Sequence, residues 1–318
     1  MRWPDTAAAG TGAVLAAAVL FGTTGTAQAL ADPTGSPYAV GAARLLLGGA
    51  GLVAVALIAG HRTRSLVALV RTPPGLVAAT AVAGYQLGFF AGVARAGVAV
   101  GTLVGIGAAP VIAGLLSGLV DGRLPGRRWW QAVAVALAGL AVLSLAGAGG
   151  RAEPVGLLLV LSAAACYAVS VLAQRRLIGA GADSTAVMAA TFAAGAVLLT
   201  PVLVGGGVRW LGEPSGWLLV LYLGLLPTTL AYLLIGAGIR VLAPAAVVSL
   251  NLAEPVTAAS LGVLLLGERL TMVGAVGALL VLAGVVLVGR VVTAGDSGLV
   301  PPGNWDASAS TTAVPRSD

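Results

Sequence analysis

Blocks of about 20 apolar residues alternate along the chain with short polar connections, and each block is long enough to cross a hydrocarbon layer of about 30 Å. The pattern predicts ten spans, at residues 8–30, 38–60, 75–94, 98–120, 129–148, 154–173, 184–204, 216–235, 243–266 and 271–292. With connections this short, consecutive helices should pack as antiparallel neighbours in an all-α polytopic membrane protein. Beyond them, residues 293–318 are polar and rich in Pro, Ser and Thr, the composition of a disordered tail. The first block also has the outline of a signal peptide, with "MRWPD" before an apolar run that ends in "AQA". Its apolar core exceeds the roughly 7–15 residues of a signal sequence, which favours a span.

An internal repeat organises the spans. A shift of 145 residues lays Pro110 on Pro255, Gly122 on Gly267, Arg95 on Arg240, and the "LAG" at 137–139 on that at 282–284. Neighbouring shifts match Gln28 with Gln174, Phe21 with Tyr167, and Gly48 with Gly195. The units are residues 1–148 and 149–292, each with five predicted spans. Because five is odd, the second unit should sit upside down relative to the first. Ten transmembrane helices in two inverted five-helix repeats is a common plan of secondary transporters. Arg123 after span 4 and Glu268 after span 9 carry opposite charges at matched places, which agrees with inversion.

Composition narrows the classes. Hydrophobic residues make up 58% of the chain and charged residues 9%, against about 25% charged in soluble domains. The net charge of +6 comes from arginines scattered singly or in short groups, so they read as orientation signals and not as a nucleic-acid surface. An N-terminus in the cytoplasm puts Arg2, Arg62, Arg64, Arg71, Arg123, Arg127, Arg128, Arg175, Arg176, Arg240, Arg290 and Arg316 inside. Only Arg95, Arg151, Arg209 and Arg269 fall outside, so both termini are predicted to be cytoplasmic. No lysine is present, which excludes a Walker loop and a Schiff base. Cys166 is single and cannot close an internal disulfide. Arginine in place of all lysine, with heavy use of Ala, Gly and Val, points to a GC-rich bacterial source and hence to an inner membrane.

Candidate chemistry concentrates in span 9. Glu254 lies about 15 Å along it, near mid-membrane, where an acidic group costs about 2.5–3.5 kcal/mol and tends to face a bundle interior or wet cavity. A protonated carboxyl bonded to a neighbouring helix is the competing reading. Pro255 cannot donate to the Asn251 carbonyl and should bend the helix and leave that acceptor free; Pro110 should do the same to Ile106 in span 4. Matched breaks of this kind point to a central binding site lined by spans 4 and 9, although kinks that only improve packing are as common. Arg44 either snorkels to the outer headgroups, the commoner use, or turns inward towards an anionic group. Gln28, Gln86, Gln174 and Asn251 can bond a polar solute or tie helices together. Tyr85, Tyr167, Tyr232 and Phe21 supply an aromatic wall or plain packing. Trp129 and Trp130 suit an interfacial belt, His61 a solvated loop, and spacings such as Gly88/Gly92/Ala96 close helix packing.

The ending "NLAEPVTAASLGVLLLGERLTMVGAVGALLVLAGVVLV" resembles the second repeat of the EamA family in the drug/metabolite transporter superfamily. So do "LGLLPTTLAYLLIGAGIR", "AAAVLFGTTG" and the early arginine of "AARLLLGG". The resemblance runs from about residue 8 to 292 and implies a ten-helix carrier with a central cavity that exports amino acids, related metabolites or toxic compounds. It carries over Glu254, Pro255, Gly267, Glu268 and Arg44 as motif positions. The first repeat departs from it, with Ala109-Pro110 for Glu-Pro and "DGRLPGRR" for Gly-Glu-Arg-Leu. If protons drive the carrier, Glu254 is the buried carboxylate available. The expected function is therefore secondary active export of a small metabolite, with no cofactor or metal, and with the lipid bilayer and a small-molecule substrate as partners. A homodimer is compatible with this. A membrane-embedded enzyme and a non-transporting scaffold are the rivals; the former lacks paired aspartates, a metal cluster or a Ser-Lys or Ser-His pair in the spans.

Overall fold

Proline starts many of the helices. In the computed structural model, which describes residues 6–31, 35–96, 98–122, 124–145, 153–267 and 271–293, it opens α2 (Pro37–Ile58), α4 (Pro73–Ala96), α7 (Pro154–Gly179), α9 (Pro214–Gly224) and α11 (Pro244–Leu250). At that position the missing N–H has no carbonyl to serve and φ is already helical. Side-chain caps close several of the starts, with Thr6, Thr72 and Thr271 hydroxyls accepting from Ala9, Gly75 and Gly274 N–H ahead of the helices that begin at Ala7, Pro73 and Met272. Ser36 Oγ accepts from the Ala39 N–H at 3.2 Å ahead of α2, and Asp183 Oδ1 accepts from Thr185 and Ala186 N–H at 2.8 and 3.1 Å ahead of α8 (Ser184–Gly205).

The other helices are α1 (Ala7–Ala31), α3 (Thr63–Arg71), α5 (Val98–Asp121), α6 (Arg127–Leu145), α10 (Ala231–Val241), α12 (Glu254–Leu266) and α13 (Met272–Thr293). The chain is an all-helical membrane protein. Among the described residues eight runs are long and apolar enough to cross a bilayer: α1, α2, α4, α7, α8, α9 with α10, α11 with α12, and α13. Predicted spans 4 and 5 correspond to α5 and α6, of 24 and 19 residues, the latter opening on Arg127-Arg128. The short α3 was not foreseen; it buries Leu66 and exposes Arg64 and Arg71, an amphipathic piece in a connection. Arg123, Glu268 and residues 294–318 lie outside the described residues.

The helix pairings exchange under the repeat. α4 packs on α7 and α1 on α10; α5 packs on α7 and α12 on α1; α2 packs on α8 and α6 on α13. A shift of 146 residues carries Gly10 to Gly156, Val14 to Val160 and Gly92 to Gly238. A Cβ on Gly92 would meet Val160 Cγ1 at 2.5 Å and the Val160 nitrogen at 2.7 Å, while one on Gly238 would strike Val14 Cγ2. One on Gly156 would meet the Ala96 nitrogen at 2.5 Å, and one on Gly10 the matched Leu242, with Cγ at 3.4 Å. Between α6 and α13 a Cβ on Gly139 would strike the Val281 backbone, and one on Gly284 would meet the Ala136 nitrogen at 2.5 Å. A shift of 145 turns one of these pairs into the other. The contacts made by one half thus recur in the other with the partners exchanged.

Trp129 departs from the interfacial-belt expectation. It is fully buried, and its ring blocks a Cβ on Gly114 at 2.7 Å. The adjacent arginines had suggested a headgroup position, but a Gly-lined groove on α5 takes the indole instead. His61 is likewise not simply solvated, since its Nε2 lies 3.1 Å from Asp183 Oδ1.

The tight α4–α7 approach makes a prediction. Gly92→Ala forces backbone apart and should destabilise the purified protein by about 1–3 kcal/mol, read as a lower Tm in detergent. Gly12→Ala, whose Cβ meets nothing within 4 Å, should leave Tm unchanged.

Candidate functional site: the central cavity

Two interruptions shape the middle of the bundle. Predicted span 9 splits into α11 and α12, joined by a 3-10 turn at Asn251–Ala253. Pro255 cannot bond the Asn251 carbonyl, and the Glu254 N–H bonds it instead, one residue earlier. The acceptor expected to be free is thus satisfied by tightening the helix. Glu254 becomes the first residue of α12, where the exposed N–H groups of a half-helix favour a carboxylate. α1 crosses this break closely: a Cβ on Gly22 would lie 2.8 Å from the Glu254 carbonyl oxygen.

The second interruption was not read from the sequence. Between α9 and α10 the helix widens into a π turn at Leu225–Leu230 around Pro227. Pro227 leaves the Leu223 carbonyl without a backbone donor, and Thr228 Oγ1 donates to it at 2.7 Å. Thr229 Oγ1 lies 3.0 Å from the Gly224 carbonyl and 3.1 Å from that of Gly48 on α2. "PTT" was the available signal: a proline followed by hydroxyls able to re-satisfy the carbonyls it frees. In α5, by contrast, the helix runs unbroken through Pro110, so the matched pair of breaks is realised in one half only.

A cavity of about 780 Å³ occupies the centre. Nine of the residues singled out in the sequence for candidate chemistry line it: Phe21, Gln28, Arg44, Tyr85, Tyr167, Tyr232, Asn251, Glu254 and Pro255. Pro110 does not, although Ile106 and Ala109 one turn and one residue earlier do. Gln86 and Gln174 sit behind the wall, buried at 4% and 2% exposure in a small adjoining space. Phe89, Phe90 and Val93 complete the wall and were not anticipated, because a phenylalanine in a membrane helix carries no signal that separates lining from packing.

Arg44 turns inward and does not snorkel. Its Nη2 donates to Gln86 Oε1 at 3.1 Å, and Gln86 Nε2 donates to the Gly41 carbonyl, also at 3.1 Å. The guanidinium of α2 is thus held from α4, while its buried Nε has no protein partner. Asn251 Nδ2 donates to the Tyr167 hydroxyl, and Asn251 Oδ1 is buried without a protein partner. Tyr85 packs on Tyr167 and Phe89 with ring centroids 5.6 and 5.7 Å apart, and Phe21 on Tyr232 at 5.2 Å. Gln174 Nε2 donates across helices to Thr191 Oγ1 at 3.2 Å, whereas Gln28 Nε2 bonds the Thr24 carbonyl of its own helix at 3.3 Å. Among the described residues no ion pair joins Arg44 to Glu254. The cavity therefore offers a cation and a carboxyl on different helices, with aromatic faces around them.

An all-helical membrane protein with a polar centre enclosed by two related helix sets belongs to the class of membrane transporters. The chain is a member of the EamA-like transporter family, whose description matches residues 8–145 and again 154–290. It is 38% identical over 276 residues to the uncharacterized transporter YwfM of Bacillus subtilis (strain 168), covering 86% of this chain and 92% of that one. A solved crystal structure with 23% sequence identity superposes with a TM-score of 0.75 over 91% of this chain and 99% of its own, a likeness of fold.

The Gln86 tether is testable. Gln86→Leu leaves the Arg44 guanidinium without the Gln86 Oε1 acceptor and should cost about 1–3 kcal/mol, seen as a lower Tm of the detergent-purified protein. Gln28→Leu, which loses only a bond within its own helix, should shift Tm far less.

Proposed function

We propose that the protein is a secondary active transporter that exports a small metabolite, such as an amino acid or a related zwitterion, by alternating access around the central cavity. The observation that carries this reading is a single cavity with Arg44 contributed by the first unit and Glu254 by the second. A substrate carboxylate matches the guanidinium, a bidentate donor, and a substrate ammonium matches the carboxyl at the start of α12. The aromatic wall accommodates the apolar part of the molecule. Glu254 is also the carboxyl through which proton movement would couple to transport.

In this reading residues 1–148 and 149–292 are two five-helix repeats, inverted in the bilayer, and the cavity is lined by the helices of spans 4 and 9. The exchange of contacts between α1/α10 and α4/α7 supports inversion, since an odd number of crossings per unit turns the second copy over. The arginine distribution supports cytoplasmic termini in a bacterial inner membrane. Family membership favours a carrier over a membrane-embedded enzyme.

The test compares metabolites inside and outside cells with and without the gene. One zwitterion should accumulate inside when the gene is absent, and purified protein in vesicles should move it with saturable kinetics. Arg44→Gln and Glu254→Gln should each lower that flux at least about tenfold, the scale of losing a charged hydrogen bond. Glu254→Gln should also abolish dependence on a pH difference, because an amide cannot exchange the proton. Full flux and an unchanged pH response in both variants would remove these residues from the pathway.

A further inference from the structure

Among the described residues, the cavity opens towards one end of the bundle. Its wall includes Gln28 and Ala29 near the end of α1, Pro37 at the start of α2, Val93 near the end of α4 and Leu266 at the end of α12. Antiparallel connections bring these together on one side. At the other end the matching places are sealed. Pro244–Leu250 of α11 is buried throughout, and Gly10 on α1 meets Val241, the last residue of α10, and Leu242 just past it.

The repeat allows the two ends to be compared residue by residue. The shift of 146 that matches Gln28 with Gln174 also matches Ala29 with Arg175, Val93 with Ile239, and Gly25 with Val171. Ala29 and Val93 both line the open cavity. Their counterparts are joined: buried Arg175, 7% exposed, donates through Nη1 to the Ile239 carbonyl and, at 2.9 Å, to that of Arg240. These carbonyls belong to the last turn of α10, where backbone acceptors lack helical partners and a cation is favoured. Gly25 is exposed in the open mouth, whereas Val171 is 1% exposed in the sealed end.

We infer that Arg175 is a one-sided latch: it clamps α7 to the C-terminal end of α10, holds the sealed end shut, and so biases the carrier towards the state seen here. In a two-fold arrangement the opposite state is obtained by exchanging the roles of the two units. There α1 would close on α4 as α7 now closes on α10. Ala29 stands where that closure would need its own arginine, so the alternative state lacks the charged bonds to a helix end. The bias is written in a single difference between the repeats. This inference rests on the alternating-access reading, and its test uses conformation instead of flux.

The test uses full-length protein purified in detergent, in a Cys166→Ala background, with a bulky maleimide as the probe. Cysteine is placed at Gly25, where a Cβ meets open space, or at the matched Val171. With Arg175 present, Gly25→Cys should label quickly and Val171→Cys slowly. Arg175→Ala should lower the first rate and raise the second, each at least about threefold, since bonds to a charged donor carry that order of free energy. Ala29→Arg, at an exposed position, supplies the missing counterpart and should shift both rates in the same directions. Unchanged rates in Arg175→Ala, or rates that rise together as in local unfolding, overturn the latch. If Arg175→Ala is not monodisperse, the Ala29→Arg rates decide, and no shift there overturns it. A protein whose labelling shifts as expected but which carries no metabolite in vesicles would keep the latch and lose the transport reading.

Discussion

In lipid, a backbone carbonyl or N–H that leaves its helical partner finds no water, so every irregular turn within the bundle has to be satisfied by the protein itself. This constraint governs where the chain can break. Pro255 removes one donor, and the Glu254 N–H replaces it by tightening to a 3-10 turn. Pro227 removes another, and the Thr228 hydroxyl bonds the carbonyl left behind. Both departures lie next to the cavity-lining residues Asn251, Glu254 and Tyr232, so the same irregularities that need special bonding also supply the polar centre.

Close packing of the two units rests on a second constraint. With no hydrophobic drive between helices in a bilayer, association depends on backbone approach and on bonds across helices. Gly92 against α7 and Gly238 against α1 meet this need in equivalent ways, and Gly139 and Gly284 do so between α6 and α13. The scaffold is therefore close to two-fold in its contacts, while the polar residues mounted on it are not. Arg44 matches Thr191, Glu254 matches Ala109, and Arg175 matches Ala29. Symmetric packing with asymmetric chemistry is what a carrier requires if its two states are to be similar in shape yet unequal in energy.

Positioning within the cavity is achieved by tethers. Gln86 holds Arg44 from a neighbouring helix while itself bonded to the Gly41 carbonyl, and Asn251 is joined to Tyr167 across from α7. Each tether joins two helices within one half of the chain, Arg44 to Gln86 in the first and Asn251 to Tyr167 in the second.

The sequence by itself determined the helical membrane class, the approximate ends of its helices and the repeat, because apolar block length, starting prolines and matched glycines are local signals. It also marked Glu254, Pro255, Asn251 and Arg44, since a charge, an amide or a proline inside a long apolar run is costly wherever the helix is placed. Tertiary structure decided which way those groups point. It turned Arg44 onto Gln86 instead of towards the headgroups, kept Pro110 in an unbroken helix behind the cavity wall, and buried Trp129 in a groove. It alone brought Arg175 to the end of α10, 64 residues further along the chain. Periodicity places a residue on a helix, but only the arrangement of neighbouring helices fixes whether its side chain meets lipid, another backbone or the cavity.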